Sequence, residues 1–491
     1  CAAMVDATLV IVAIIVCIVC LIGIIVFMVY MQHPEDAGQT WGCKIIVLVG
    51  LFLSCVTVLC IPFDVAMKGS GSYASLGQLW YACYIAIGAF AFAICPFASA
   101  WYETDETETF GRRLGTAICW CSVYVFVFSV LTAVMYITVG FVNLPVTVHT
   151  SPLLPPTADV PDETLMTCNN KFCVADSILK IQTSAAIYIL AMLTFFGWFL
   201  TCSFGGIGLT AIPLDLINGW RNRPVAIDLK EFATKKKELH EKVKSLQQLG
   251  KEMQAEFKAK PSKTKEKVFR NKFKTMIYEV EQDYENLQIC FKEHGGNPII
   301  PVLKLVLGVF SIAIALSWVI QVILTMFLKG CDGKCPFLNS IFIELNGAFP
   351  LLGTGAYGAF AFYLLWAVIK GCMKFGMRFF LISIYPMKVG GTLMNAFLFN
   401  VSLILLCTAA IVQFCTTAFA EYARLTAVSQ IFVTQVQYLI GLEYFYAQNI
   451  FYILFLAFAF LSGAFSLIQP MCAKAQPETL EEAMAAKRGK R

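Results

Sequence analysis

The chain has 491 residues, of which 58% are hydrophobic and only 14% are charged, and its mean hydropathy is +0.71. A soluble core of this length cannot bury so much apolar surface, which excludes an ordinary water-soluble globular protein. The net charge of +5 does not indicate an acidic partner, because about half of the lysines and arginines lie in one segment, from Arg221 to Lys292.

Nine apolar stretches are each long enough to cross about 30 Å of hydrocarbon as a helix. The first lacks a basic lead-in and is longer than a signal-peptide core, so we expect it to remain as a helix. We therefore predict an all-α polytopic membrane protein of about nine transmembrane helices. The nine stretches are Leu9–Tyr30, Ile45–Ala66, Leu79–Trp101, Leu114–Val142, Ile178–Ser203, Ile299–Leu328, Ile341–Ile369, Met394–Phe419 and Ile450–Ile468.

The predicted spans divide the chain into four regions. Residues 1–204 hold helices one to five with a cysteine-containing outer loop, and residues 205–297 form a cytosolic linker and hairpin. Residues 298–470 hold helices six to nine, and residues 471–491 form a basic cytosolic tail.

The charges of the loops predict the orientation. The basic middle segment, the loop after the seventh helix and the basic tail fall on one side of a nine-helix protein, and that side is expected to be cytosolic. The N-terminus is then extracellular or lumenal and the C-terminus cytosolic. No tail motif distinguishes the plasma membrane from an endolysosomal membrane.

Two pairs of cysteines stand close together in polar loops, whereas most of the others lie within apolar runs. Cys168 and Cys173 occur in CNNKFC, and Cys331 and Cys335 in CDGKC. Both loops fall on the outer side of the predicted topology, where disulfides persist. We interpret the pairs as disulfides, with free thiols or a metal site as the alternative.

The cytosolic segment between residues 226 and 293 carries apolar residues at three- and four-residue steps in two halves, interrupted at Pro261. This pattern predicts an antiparallel helical hairpin that resembles a coiled coil. The apolar stripes either face only each other or also bind a protein partner. Nucleic-acid binding is disfavoured, because glutamates are mixed with the basic residues and no aromatic stacking platform accompanies them.

Polar side chains within the later spans are the candidates for a ligand cavity, because polar groups are expensive in hydrocarbon. They either line such a cavity or hydrogen-bond neighbouring helices in the bundle. These candidates are Glu344, Asn346, Asn395, Asn400 and Gln413.

Sequence motifs for catalysis are nearly absent. The four histidines are scattered and form no HExxH pair, which indicates neither a metal site nor an enzyme. The letters GTGAYG, which hold Gly353, Gly355 and Gly358, match a dinucleotide fingerprint but lie mid-span without a preceding strand. No catalytic residue and no cofactor is expected.

The segment Glu421–Tyr446 has apolar residues at helical spacing among Ser, Thr and Gln. It predicts an amphipathic or re-entrant helix on the outer side, with a plain loop as the alternative.

A short near-repeat marks the ends of two helices. Pro62 and Asp64 stand in IPFDV at the end of the second helix, and Pro213 and Asp215 stand in IPLDL after the fifth. Each proline bends or ends a helix, and each aspartate either caps the next turn or pairs with a cation.

Three stretches resemble the limb-region membrane-protein family. They are IPFDVA from Ile61, PFASAWYE from Pro96, and GGIGLTAIPLDLINGWRNRP from Gly205 to Pro224, which is the most specific. The family includes a lipocalin-interacting receptor and a lysosomal cobalamin-transport escort. The resemblance implies a nine-helix bundle with an outside N-terminus and no enzyme activity.

Three functions are compatible with these features. The first is a non-enzymatic receptor or transport-accessory protein, whose outer loops engage a ligand or carrier and whose hairpin recruits a partner. The second is a solute or lipid transporter that uses a polar intramembrane cavity, and the third is a structural subunit of a larger membrane complex. The lipid bilayer is a partner in all three.

Overall fold

The computed structural model describes most of the chain. The described residues are 2–33, 36, 41–67, 73–104, 109–150, 167–169, 172–223, 225–259, 273, 276–277, 280–281, 283–291, 299–327, 337–375, 377–379, 382–384, 387 and 389–473. They fall into two compact units: Cys1–Ala211 with Ile314–Ala464, and Ile212–Ala313 with Phe465–Arg491.

Helices make up most of the structure. They are α1 (Ala2–Met31), α2 (Trp41–Ala66), α3 (Tyr73–Ala89), α4 (Cys95–Glu103), α5 (Phe110–Val139), α6 (Ala185–Arg221), α7 (Leu229–Ala259), α8 (Ile299–Phe327), α9 (Leu338–Ala348), α10 (Pro350–Phe375), α11 (Met394–Ala418), α12 (Ala427–Thr434), α13 (Glu443–Ala447) and α14 (Ile450–Ala473). A π-helical turn at Phe90–Ile94 joins α3 to α4, directly before Pro96.

Eight helical segments among the described residues are long and apolar enough to cross a membrane, which confirms a polytopic helical membrane protein. The apolar part of α14 with described side chains, Ile450–Ser466, is shorter. Nine crossings therefore stay a prediction. The eight segments are Val10–Met31, Trp41–Ala66, Leu76–Glu103, Phe110–Val139, Ala185–Arg221, Ile299–Thr325, Pro350–Lys374 and Met394–Ala418.

The predicted boundaries of the fourth and fifth spans were wrong, because a sheet lies between them. Strands β1 (Phe141–Thr150), β2 (Thr167–Asn169) and β3 (Phe172–Gln182) pair antiparallel in the order β1-β3-β2. Alternating and β-branched residues favour strands in β1 and β3, although their hydrophobicity reads as an extension of the adjoining helices. Two further short strands, β4 (Met377–Phe379) and β5 (Ile382–Ile384), form a hairpin.

The predicted seventh span is two helices in the structure. Phe349 is extended, with φ −154° and ψ 114°, between α9 and α10. The next residue is Pro350, which disfavours helical geometry in the residue before it and lacks a backbone N–H. Hydropathy alone does not detect this break, because both helices are apolar.

α11 is the centre of the first unit, since nearly all of its residues are buried. An apolar helix in a membrane can face lipid or protein, and the burial of these residues shows that neighbouring helices enclose this one. α2, α4 and α10 pack around it. Side chains on α11 therefore face protein.

α6 and α10 cross at very short range. A Cβ on Gly208 would overlap the backbone of Ala367, and one on Gly371 would overlap the backbone of Phe204. Small residues allow membrane helices to approach this closely. Gly208, which lies in the family-like element, is therefore needed for packing.

The second unit contains an antiparallel pairing between α7 and the helical residues 283–291. Phe232 stacks on Phe291 with ring centroids 4.2 Å apart, and Lys242 lies 3.9 Å from Asp283. Early residues of α7 thus contact late residues of the second segment, as an antiparallel hairpin requires. The cytosolic location of this hairpin stays a prediction.

Candidate functional site

β1, α9 and the turn that follows α11 meet at one end of the first unit. Val142 of β1 forms a bridge with Leu439, which lies after α12. The backbone N–H of Tyr422 donates to the side-chain oxygen of Asn339 on α9 at 3.3 Å. The turn between α11 and α12, residues 419–426, lies at the centre of this end, and we call it the α11–α12 turn.

A buried amide holds the start of this turn. Gln321 on α8 donates through Nε2 to the carbonyl oxygen of Ala418 at 2.9 Å. Its Oε1 accepts from the backbone N–H of Leu338 at 3.2 Å. Helix ends leave such backbone groups without partners, so one side chain satisfies both the last turn of α11 and the first turn of α9.

A buried carboxylate holds the other side of the turn. Asp64, with 1% of its surface exposed, accepts from Trp80 Nε1 at 2.9 Å. It also accepts from the backbone N–H groups of Ala427 at 3.2 Å and Val428 at 2.9 Å. These amides begin α12, where a negative charge is favourable. Asp64 therefore caps a helix far away in sequence, and not the next turn of its own helix as one alternative had it.

The clamped turn borders an open depression of about 360 Å³. Leu425 in this turn has φ +67°, a left-handed conformation that is strained for a branched side chain. Strain of this kind persists only where the surroundings enforce it, as the Gln321 and Asp64 contacts do here. The depression is lined by Ile343, Asn346, Glu421, Tyr422, Arg424 and Leu425.

The depression carries two opposite charges. Glu421 is half-buried and Arg424 is exposed. Among the described residues, neither side chain makes a hydrogen bond or an ion pair. Burial raises the pKa of Tyr422 to about 12, so its hydroxyl is neutral at physiological pH.

Gln413, predicted as a cavity residue, is fully buried in an aromatic cluster next to this end. Its Oε1 accepts from Trp198 Nε1 at 2.7 Å and from the Tyr446 hydroxyl at 3.0 Å. The indole can only donate, which fixes the orientation of the amide. Nε2 has no hydrogen-bond partner among the described residues. Burial raises the pKa of Tyr446, which keeps its hydroxyl a donor.

Asn395 lies at the opposite end of α11. It accepts from the Ser99 hydroxyl and donates to Glu103 at the end of α4. One residue earlier, the Met394 N–H donates to buried Asp36 at 3.0 Å. This cluster ties the start of α11 to Asp36 after α1 and to the last residues of α4.

Asn400 is also committed to helix packing. Its Nδ2 donates to the Ala396 carbonyl oxygen at 2.7 Å, and its Oδ1 lies 3.8 Å from the Cys372 sulfur. Eighteen positions of helix separate Asn395 from Gln413, or about 27 Å. The structure therefore does not bring the predicted cavity residues of α11 into one cavity.

Glu344 and Asn346 lie on α9, a separate short helix, and both are exposed. Their predicted position inside the seventh span was wrong, because the helix breaks at Phe349. Asn346 lines the depression beside the α11–α12 turn, and Glu344 does not.

The two proline motifs lie inside helices. Pro62 is within α2, where a Cβ on Gly358 would contact its ring at 3.1 Å, and Pro213 is within α6. α6 continues to Arg221, so placing the second motif after the fifth helix was wrong. Asp215 is half-buried on the same helix.

The structure pairs the backbones of two predicted disulfide partners. Cys168 and Cys173 are direct register partners of β2 and β3. Opposite residues of antiparallel strands have Cα atoms about 4.5–5.5 Å apart, within the span of a disulfide. Cys331 and Cys335 lie outside the described residues.

Four polar residues of this framework were not singled out in the sequence: Asp36, Gln321, Asn339 and Thr426, whose hydroxyl accepts from the backbone N–H of Ser429 at the start of α12. Gln321 was detectable as a polar residue inside an apolar span. Asp36 stands between α1 and α2, and Asn339 and Thr426 stand at helix ends. Polar residues are ordinary in both places, so only tertiary contacts distinguish them. In the described part of the chain, no three His, Cys, Asp or Glu residues are grouped to hold a metal.

Comparison with known proteins identifies one family over most of the chain. The model of LMBR1-like membrane proteins matches residues 9–292. A LIMR family protein of Dictyostelium discoideum is 33% identical over 95% of this chain and 98% of its own. LIMR family proteins of Arabidopsis thaliana and Oryza sativa subsp. japonica are 32% and 33% identical, each over 93% of this chain and 95% of its own. No solved structure matches.

Proposed function

This chain belongs to the LMBR1-like family of membrane proteins, and from that premise we propose that it is a non-enzymatic receptor or transport-accessory protein. The end of the bundle with the α11–α12 turn engages a ligand or carrier outside the cytosol. The hairpin formed around α7 recruits a partner inside it.

The observation that carries the proposal is how the polar residues of α11 are used. Asn395, Asn400 and Gln413 bond to neighbouring helices or to their own backbone. Residues committed in this way stabilise a packed helix, which favours a receptor or accessory role over a transporter with a polar path along α11.

The grouping of the loops supports the proposed orientation. β1, α9 and the α11–α12 turn meet at one end, whereas Asp36 after α1 and the end of α4 meet the start of α11 at the other. An antiparallel order of nine spans requires this separation. The basic hairpin then lies on the cytosolic side.

The hairpin supports partner recruitment through its exposed polar face. Leu246 and Leu287 are buried, while Lys235, Lys237 and Glu238 of the same unit are exposed. The Lys235 ammonium lies 2.8 Å from Glu231, and this contact raises the pKa of Lys235. The exposed face thus retains charged groups of both signs for a protein surface.

Deletion of residues 235–292 tests the proposal. The truncated protein is compared with the full chain for co-purifying proteins after crosslinking in cells, and thermal unfolding of both in detergent reports bundle integrity. We expect specific partners to be lost while the bundle still unfolds cooperatively. An unchanged set of partners would contradict recruitment by the hairpin. Unaided solute flux in liposomes would instead establish the transporter alternative.

A further inference from the structure

We infer that the depression beside the α11–α12 turn binds a zwitterionic group, with its anion at Arg424 and its ammonium at Glu421. The ligand class is an amino-phosphate or amino-carboxylate, supplied by a lipid headgroup or by a free solute. This inference rests on the proposed function, because it names the ligand class for the end of the bundle where that function places binding.

The first support is the arrangement of charge. The backbone N–H of Arg424 donates to the Glu421 carbonyl oxygen at 3.4 Å, so the two residues are the ends of one tight turn. Turn ends lie within about 7 Å of each other. Two opposite charges on one tight turn in one depression, neither engaged with a described side chain, complement a ligand with both signs.

The second support is the shape and chemistry of the walls. A volume of about 360 Å³ falls at the lower end of the range for small-molecule sites. Ile343 and Leu425 supply apolar surface, and Leu425 is 57% exposed. The Asn346 amide adds a donor and an acceptor. Such a site fits a headgroup or small zwitterion with short apolar parts.

The third support is that the walls are held in place before a ligand arrives. The turn is anchored by Gln321 at Ala418, by Asn339 at Tyr422 and by Asp64 at Val428. This anchoring maintains the left-handed Leu425 and the direction of the turn. Preorganised sites lose less entropy on binding.

Binding of four soluble probes to the purified full-length protein tests the charge requirement. Glycerophosphocholine and glycine betaine carry both charges, glycerol 3-phosphate carries only the anion, and choline carries only the cation. We expect saturable binding of at least one zwitterion by calorimetry. Each single-charge probe should bind with an affinity that is lower by a factor of about ten or more. A parallel arm compares retention of phosphatidylcholine and phosphatidylglycerol by native mass spectrometry.

Substitutions assign the charges to residues. Glu421→Gln and Arg424→Gln should each weaken zwitterion binding by about ten- to a hundredfold, as expected for loss of one charge-assisted contact. Glu421→Gln should also remove the preference for the zwitterion over glycerol 3-phosphate, and Arg424→Gln the preference over choline. Glu443→Gln and Lys180→Gln are the matched controls, because both residues lie at the same end outside the depression.

The outcomes separate the sources and the proposals. Charge-dependent retention of phosphatidylcholine without soluble binding identifies a lipid headgroup, and the reverse identifies a free solute. Lack of saturable zwitterion binding in both arms, or equal losses in the control variants, would overturn the inference. The probe assays do not involve the hairpin. If they failed while deletion of the hairpin still removed the partners, the inference would be overturned and the proposed function would stand.

Discussion

The carboxylate of Asp64 accepts a 2.9 Å hydrogen bond from the backbone N–H of Val428, 364 positions later in the chain. This contact fastens the end of α2 to the beginning of α12. The buried carboxylate also accepts hydrogen bonds from the Trp80 indole and the Ala427 N–H. Together these bonds fix one side of the α11–α12 turn. The stability of this end of the protein should therefore depend on the two carboxylate oxygens of Asp64.

Replacing Asp64 with Asn tests that dependence. An amide offers one acceptor oxygen and points an NH₂ group at donors, so we expect Asp64→Asn to lower the free energy of unfolding by about 2 kcal/mol. Thermal unfolding in detergent, followed by tryptophan fluorescence, measures the loss. Glu443→Gln, a carboxylate-to-amide change at a half-buried site, is the control. Equal stability of the two variants would refute the capping role of Asp64.

Gln413 should matter for stability more than for transport. Gln413→Leu leaves the Trp198 and Tyr446 donors buried without an acceptor, at about 1–3 kcal/mol each. We expect a lower unfolding temperature for this variant than for Ser402→Ala, which removes only a bond to the preceding turn of α11. If Gln413→Leu unfolded like the parent chain, the hydrogen bonds assigned to this amide would be incorrect.

Glycine-to-alanine pairs test the crossing of α6 and α10. Gly208→Ala places a methyl group into the backbone of Ala367, so we expect destabilisation by about 1–3 kcal/mol, or failure to fold. Gly115→Ala on α5 meets no atom within 4 Å and should stabilise its helix by up to about 1 kcal/mol. Yield and unfolding temperature of both variants provide the comparison. Identical behaviour would mean that the helices do not approach at Gly208.

The register of β2 and β3 predicts a disulfide between Cys168 and Cys173. Peptide mapping of protein purified without reductant should recover the two cysteines in one linked species. A Cys168→Ser variant should leave Cys173 open to maleimide. Free thiols in the parent protein, from a membrane fraction kept from reductants, would contradict both the bridge and the outer location of this loop.

The stacked pair Phe232 and Phe291 should hold the base of the hairpin closed. Phe232→Ala is expected to reduce amide protection in α7 and in residues 283–291 by about tenfold, because stacked aromatic rings stabilise a contact beyond the surface area that they bury. Hydrogen exchange measured by mass spectrometry reports this change, with α11 as the internal reference. Leu229→Ala, at a position 64% exposed on the same helix, should have little effect. Comparable loss in both variants would indicate that the stacking is not needed.

Sequence patterns predicted the long spans well, and failed where hydrophobicity has two explanations. Phe141 and Val142 of β1 and Ile178–Gln182 of β3 were assigned to the flanking helices by hydropathy, and the rest of both strands to an outer loop. α9 and α10 similarly read as one span, since Pro350 is the only interruption. In each case the apolar composition was recognised correctly, but the backbone conformation was not. The spacing of apolar residues and the position of proline decide that conformation, and hydropathy records neither.

The apolar spacing after Glu421 was informative in most of its length. Val428, Phe432, Val436 and Leu439 are all buried, as an amphipathic helix predicts, but α12 covers only Ala427–Thr434 and a 3-10 turn follows at Val436–Tyr438. Leu425 belongs to the same spacing yet is exposed, because the turn adopts a left-handed conformation there. A periodic pattern does not record where a helix begins.

Composition and spacing by themselves determined that this chain is a helical membrane protein with a basic polar insert, because lipid burial and helical period act locally along the chain. Only the tertiary structure decided which polar residues form hydrogen bonds to distant helix ends and which remain at a surface. Asp64 and Gln321 became caps of distant helices, while Glu421 and Arg424 line one depression and have no side-chain partner among the described residues. Partners separated by hundreds of residues leave no local trace, since hydrogen bonding depends on proximity in space.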